Sequence, residues 1–119
     1  MVRTILLIEN SEALSKSITV NLKGNGYETY STKTITEGLR ILSENKIELI
    51  IADINLGKSK IIDFASNIAV NSRYNTIPLI MLSNEEGKVS DKSIPGIEEW
   101  IIKPFSTDKL LKTVRRFSI

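Results

Sequence analysis

A doubly wound α/β domain is the fold this sequence predicts, and three observations carry the prediction. Five strand-length apolar runs recur along the chain, most of them continuous rather than alternating. Between them lie segments whose apolar residues return at helical spacing. The chain is 119 residues long and 41% hydrophobic, which suffices for one core and not for two ordinary ones. Continuous aliphatic strands are those buried on both faces, and parallel strands joined by right-handed helical crossovers supply that burial. Residues 1–119 are therefore expected to form a single domain, without repeat, linker or low-complexity segment.

The first strand is Ile5-Leu6-Leu7-Ile8, after which Ser11 can cap a helix carrying Leu14, Ile18 and Leu22 at i, i+4, i+8. Gly24-Asn25-Gly26 ends that helix, and residues 27–31 alternate like a short second strand. Thr34-Ile35-Thr36-Glu37 has the form of a capping box, opening a helix with Ile35, Leu39 and Leu42 on one face. Residues 47–52 make the third strand, ending at Asp53. A loop through Gly57 leads to a helix presenting Ile61, Phe64, Ala65, Ile68 and Ala69, broken at residues 71–75. Pro78 can begin but not continue a central strand, so Leu79-Ile80-Met81-Leu82 is the fourth, ending at Ser83. Residues 84–96 hold Gly87 and Pro95, with only Val89 and Ile94 as larger apolar residues, so a helix there is expected to be short or poorly packed. Residues 98–102 form the fifth strand. After Lys103-Pro104 a last helix, capped at Ser106 or Thr107, presents Leu110, Leu111, Val114 and Phe117.

Composition excludes several chemistries. The absence of Cys removes disulfides, thiolate metal sites and cysteine nucleophiles. The absence of His removes the commonest general base, the usual nitrogen metal ligand and any phosphohistidine on this chain. Any catalysis must use carboxylates, hydroxyls, amides and lysine. A net charge of +2 argues for neither a nucleic-acid binder nor a membrane-surface protein. No apolar run approaches the roughly 20 residues of a membrane helix, and the amino terminus lacks the form of a secretory signal, so a cytoplasmic location is expected.

In a doubly wound sheet the ligand site lies beyond the carboxyl ends of the strands. Strand one ends in Glu9-Asn10, strand three in Asp53, strand four in Ser83-Asn84 and strand five in Lys103-Pro104. Two carboxylates, an amide, a hydroxyl and an ammonium at one rim suit a phosphoryl group and a hard divalent cation.

On Ile8-Glu9-Asn10, Asp53-Ile54-Asn55, Met81-Leu82-Ser83-Asn84 and Ile102-Lys103-Pro104-Phe105, the chain resembles the receiver domain of two-component response regulators, the CheY-like superfamily, over essentially its whole length. The resemblance implies a flavodoxin-like sheet in strand order 2-1-3-4-5. It makes Asp53 the nucleophile that accepts a phosphoryl group from the phosphohistidine of a sensor histidine kinase or phosphotransfer protein. It also implies Mg²⁺ held by Asp53, the Asn55 carbonyl and the pocket at Glu9 and Asn10, with Lys103 pairing a phosphoryl oxygen or the Asp53 carboxylate. Ser83 would hydrogen-bond the phosphoryl group and couple to Trp100 as a switch, and the Lys103–Pro104 bond would be cis. The altered face, around the fourth helix, fifth strand and last helix, would engage a downstream protein or a fused output domain. Members often dimerise through that region, so a homodimer is among the expected assemblies; direct nucleic-acid contact is not expected.

Three positions depart from the family pattern. Asn10 replaces the second acidic residue after strand one, which weakens the expected Mg²⁺ site by one negative charge. Gly57 stands where proline is common, and Ile61 where glycine is usual. Plainer readings remain beside the functional ones. Asp53 can terminate a strand, Glu9-Asn10 can be a turn, Ser83 can cap a helix, and Trp100 can cover the core edge. Lys109, Lys112, Arg115 and Arg116 give the last helix a basic outer side that reads first as a solvated face. Two alternatives to a phosphoacceptor follow: a pseudo-receiver that binds a partner without phosphorylation, kept open by Asn10, and a small enzyme or nucleotide binder, disfavoured because the turn after strand one has no glycine cradle.

Overall fold

The computed structural model describes residues 2–84 and 94–118. Among these, five parallel strands alternate with four helices: β1 (Thr4–Ile8), α1 (Glu12–Gly24), β2 (Glu28–Thr32), α2 (Ile35–Glu44), β3 (Leu49–Asp53), α3 (Lys58–Val70), β4 (Leu79–Ser83), β5 (Ile97–Ile102) and α4 (Thr107–Arg116), with a 3₁₀ turn at Ile54–Leu56. The sheet order is β2-β1-β3-β4-β5, all neighbours parallel. The helix expected over residues 84–96 falls largely on 85–93, which lie outside the described residues.

The period of two along each strand divides the core. Leu6, Ile8, Ile50, Ala52, Leu79 and Met81 face one side, where Ile41 and Leu42 of α2 and Ile61, Phe64 and Ile68 of α3 cover them. Ile5, Leu7, Leu49, Ile51, Ile80 and Leu82 face the other, covered by Ile18 and Leu22 of α1 and Leu110, Leu111 and Val114 of α4. The central strands are apolar at consecutive positions because both of their faces are buried.

Side chains set three helix starts. Ser11 accepts a hydrogen bond from the Leu14 amide at 3.3 Å, Thr34 from Glu37 at 3.2 Å and Ser106 from Lys109 at 3.0 Å, which assigns the last cap to Ser106 rather than Thr107. Only half of the expected capping box forms, because the Glu37 carboxylate pairs with Arg40 and the Thr34 amide donates to Thr32 Oγ1 instead. The inward face of α2 also differs from the sequence pattern. Gly38, Ile41 and Leu42 are buried while Leu39 is exposed, since α2 approaches β1 over Gly38 and turns Leu39 outward. A Cβ at Gly38 would lie 2.7 Å from Ile8 Cδ1, so a larger residue there would force the buried Ile8 side chain to shift. β2 runs one residue later than expected and β3 begins at Leu49; the Glu48 amide still donates to the Thr4 carbonyl at 2.9 Å, and its carboxylate accepts the Arg3 and Thr4 amides at 3.0 and 3.1 Å.

Gly57 joins the 3₁₀ turn to α3 at φ 116°, ψ 120°, a conformation closed to L side chains, and it serves as the helix N-cap without a capping side chain. A proline, with φ fixed near −65°, could not take this path. The turn lets Ile61 enter the core fully buried. A Cβ at Gly57 would meet only the Lys60 side chain, no nearer than 3.8 Å, so the cost of adding one is that of the backbone alone. Gly57→Ala is expected to lower stability by about 1–3 kcal/mol, read as a reduced urea midpoint with unchanged slope.

Candidate functional site

In this strand order the chain leaves β1 toward β2 on one side and returns to β3 on the other, so the carboxyl ends of β1 and β3 flank the point where the order reverses. Glu9 follows the first of these strands and Asp53 ends the second. Both are fully buried. Each carboxylate is oriented in the same local way, by the amide two residues on: Ser11 donates to Glu9 Oε2 at 3.0 Å, and Asn55 donates to Asp53 Oδ1 at 2.8 Å.

Lys103 enters from the end of β5. Its backbone amide donates to the Ser83 carbonyl at 2.7 Å, and the Lys103–Pro104 peptide is cis. Its ammonium donates to Asp53 Oδ2 and lies 3.2 Å from Glu9 Oε1. The contact with Glu9 is an ion pair whose geometry is not that of a hydrogen bond, so Glu9 Oε1 is buried without a hydrogen-bond donor. Ser83 is fully buried at the end of β4. Trp100 pairs in register with Met81, on the same sheet face as Ser83 and diagonal to it, and packs partly buried against the α2–α3 side of the core. Asn10 and Asn55 are exposed at the rim.

Two acids and one base in a closed space must share their charge. Burial pushes the Glu9 carboxyl above its ordinary range, and the neighbouring Asp53 carboxylate adds to the rise. Burial also acts upward on Asp53, but the neighbouring Glu9 carboxyl and the hydrogen bonds from Lys103 and the Asn55 amide outweigh it and hold Asp53 below the ordinary range. Lys103 is held above its usual range because Asp53 and Glu9 more than offset its desolvation. The outcome is an ionised Asp53 facing an ammonium, with Glu9 as the carboxyl that retains a proton more readily.

The donor set fits a hard divalent cation: two carboxylates, one with an orphaned buried oxygen, and the amide and carbonyl oxygens of Asn10 and Asn55 nearby in sequence. Among the described residues no three acidic side chains converge, so the negative charge here comes from two carboxylates only. Sequence reasoning named every side chain of this cluster but missed the amides of Ser11 and Asn55 and the closeness of Glu9 to Lys103. The acid-x-N–H pattern at Glu9-Asn10-Ser11 and Asp53-Ile54-Asn55 was the available signal for the first; nothing local encodes the second.

Sheet order and the position of this rim define the class, a flavodoxin-like α/β domain with its site at the switch point. The sequence profile described as the response regulator receiver domain matches residues 5–115, and the chain belongs to that family. It is similar to a response regulator described as NtrX-like from Rickettsia typhi, at 30% identity over 94% of this chain and 24% of the relative. It is also similar to the cell cycle transcriptional regulator CtrA of Caulobacter vibrioides, at 28% identity over 92% of this chain and 48% of CtrA. The chain thus spans a quarter to a half of the length of these relatives. In fold it matches the chemotaxis response regulator CheY4 of Vibrio cholerae with a TM-score of 0.88 at 24% identity, covering 98% of this chain and 99% of that one. The protein is a response-regulator receiver module of two-component signalling. None of the described helices is long and apolar enough to cross a membrane.

The raised Glu9 carboxyl gives a pH-dependent expectation. A carboxyl whose folded pKa exceeds its unfolded value binds a proton on folding, so it opposes folding once pH rises through that interval. Glu9→Gln, which cannot ionise, is expected to raise the urea midpoint at neutral pH in EDTA, and the gain should shrink as pH falls through that interval and be gone below the ordinary carboxylate range. Equal midpoints at neutral pH would show that Glu9 is ionised there without penalty.

Proposed function

We propose that Asp53 is the phosphoacceptor of this receiver domain and that residues 1–119 act as one signalling unit. The carrying observation is the buried, low-pKa Asp53 carboxylate bound by Lys103 at the switch point of the sheet. An ionised carboxylate is nucleophilic without a general base, which suits a chain without histidine. In the proposed reaction an Asp53 oxygen bonds to phosphorus, the P–N bond of a partner's phosphohistidine breaks, and the imidazole leaves with the electron pair. Asn55 N–H holds Oδ1, and Lys103 exchanges its carboxylate contact for a phosphoryl oxygen as charge builds there. Ser83 supplies a hydroxyl to the same group, and Trp100, diagonal to it, carries the change to the β5 face as the switch.

Glu9, Asn10, Asp53 and the Asn55 carbonyl are the residues proposed to hold Mg²⁺, which when bound neutralises repulsion between carboxylate and phosphoryl group. The donor is a sensor histidine kinase or phosphotransfer protein, and the target is a downstream protein or a fused output domain. The relatives' greater length and the transcriptional role in the name CtrA support the latter. A cytoplasmic location and occasional homodimerisation complete the reading. Nucleic-acid contact is assigned to an output domain and not to this chain.

A second reading, a pseudo-receiver that binds without phosphorylation, is favoured by one observation: Asn10 leaves the site with only two carboxylates. Intact mass after incubation with Mg²⁺ and acetyl phosphate separates the two. One hydroxylamine-labile phosphate on the wild type and none on Asp53→Asn supports the phosphoacceptor; a folded protein that stays unmodified at high Mg²⁺ supports the pseudo-receiver. Asn10→Asp should tighten Mg²⁺ binding by calorimetry by roughly ten- to thirtyfold, the Coulomb gain of one charge about 4 Å from a dication in waterlike surroundings. An unchanged affinity would remove Asn10 from the metal site.

A further inference from the structure

A groove of about 570 Å³ opens between α2 and α3, outside the carboxylate cluster but touching it at two points. Asn10, which follows Glu9, lies at one end, and Leu56, which closes the turn begun at Asp53, lines another part. Its apolar wall is formed by Ile35, Leu39 and Leu56. Leu39 is one of three large hydrophobic residues left exposed among those described, and it is exposed into this groove although its helix offers an apolar face to the core. Leu39 keeps about a third of its surface, 37%, in water, so the gain from covering that part is still available to a ligand.

The rim is positively biased. Lys33 and Lys60 line it against the single carboxylate of Asp63; Lys33 also lies 3.8 Å from Glu12, in a pair whose side chains are both well exposed. The volume falls within the range of small-ligand sites, and an apolar wall with a few charged groups is their usual composition. We propose that this groove binds a small organic anion with an apolar body, a carboxylate or phosphate monoester carrying an aromatic or branched hydrocarbon part. The hydrocarbon lies on Leu39, Ile35 and Leu56, and the anion lies between the two ammonium groups. Asn10 and Leu56 belong to the chain segments that carry Glu9 and Asp53, so the groove borders the loops of the carboxylate site.

The inference stands apart from the phosphoacceptor reading, and its test uses unmodified protein without Mg²⁺ or phosphodonor, so the two can fail separately. The probe is 4-phenylbutyrate, titrated while amide proton–nitrogen correlation spectra are recorded, with 4-phenylbutanol as the neutral control. Saturable shifts are expected at Ile35, Leu39, Leu56 and Lys60, with weaker binding of the alcohol. Lys33→Gln and Lys60→Gln should each weaken the carboxylate by up to about fivefold, the range of an exposed ion pair, and leave the alcohol unaffected. Leu39→Asn, at a position 37% exposed, should weaken both probes while the correlation spectrum away from the groove stays that of the folded wild type. Absence of saturable shifts up to the probe's solubility limit, shifts centred elsewhere, or equal binding of acid and alcohol would overturn the proposal.

Discussion

The contact on which the site depends is that between the Lys103 ammonium and the buried Asp53 carboxylate. An isolated carboxylate at this depth would be neutral, because desolvation penalises its charge more than that of any surface acid. Lys103, with the neighbouring Glu9 carboxyl and the Asn55 amide, reverses that balance and keeps Asp53 ionised where the sheet buries it. Its reach is fixed by the chain: β5 pairs with β4, the Lys103 amide is held by the Ser83 carbonyl, and only the side chain crosses to β3. A buried pair of this kind contributes little to stability on its own, since two desolvations offset one attraction. Its consequence is specificity of charge state.

The rest of the fold serves that contact by leaving nowhere else for polar groups to go. β1, β3 and β4 are apolar on both faces, so a charged side chain within them would meet core on either side. Polar chemistry is confined to the strand ends, and the order β2-β1-β3-β4-β5 brings the carboxyl ends of β1 and β3 side by side. Glu9 and Asp53 meet because of topology, though 44 residues of sequence separate them.

This explains which features were legible. Continuous aliphatic runs and cap residues are local signals, so strands, helix starts and the positions of Glu9, Asp53, Ser83 and Lys103 at strand ends could be read directly. The resemblance to receivers supplied the strand order that local pattern could not. Leu39 was misassigned because two apolar stripes of α2 compete, one through Leu39 and one through Ile41, and the choice is made by the approach of Gly38 to Ile8, a tertiary distance. The half-formed capping box has a similar cause: Glu37 has a nearer cation in Arg40 than a donor in Thr34, and sequence shows both partners without ranking them. The opposite shifts of Glu9 and Asp53 depend on burial and on Lys103, neither of which any window of sequence contains.

Asn10 acquires its meaning from that shared charge. With Asp53 ionised, Glu9 inclined to keep its proton and Lys103 positive, the cluster approaches neutrality with its own residues. A third carboxylate at position 10 would add negative charge to this cluster; an amide adds none. In the proposed metal site Asn10 would therefore lower both the pull on a cation and the repulsion within the cluster without one, two effects with a single electrostatic origin. The same residue is exposed and borders the groove between α2 and α3, so a neutral amide there also spares an anion in the groove from repulsion that aspartate would add. One missing charge thus acts on both sides of the loop that follows β1.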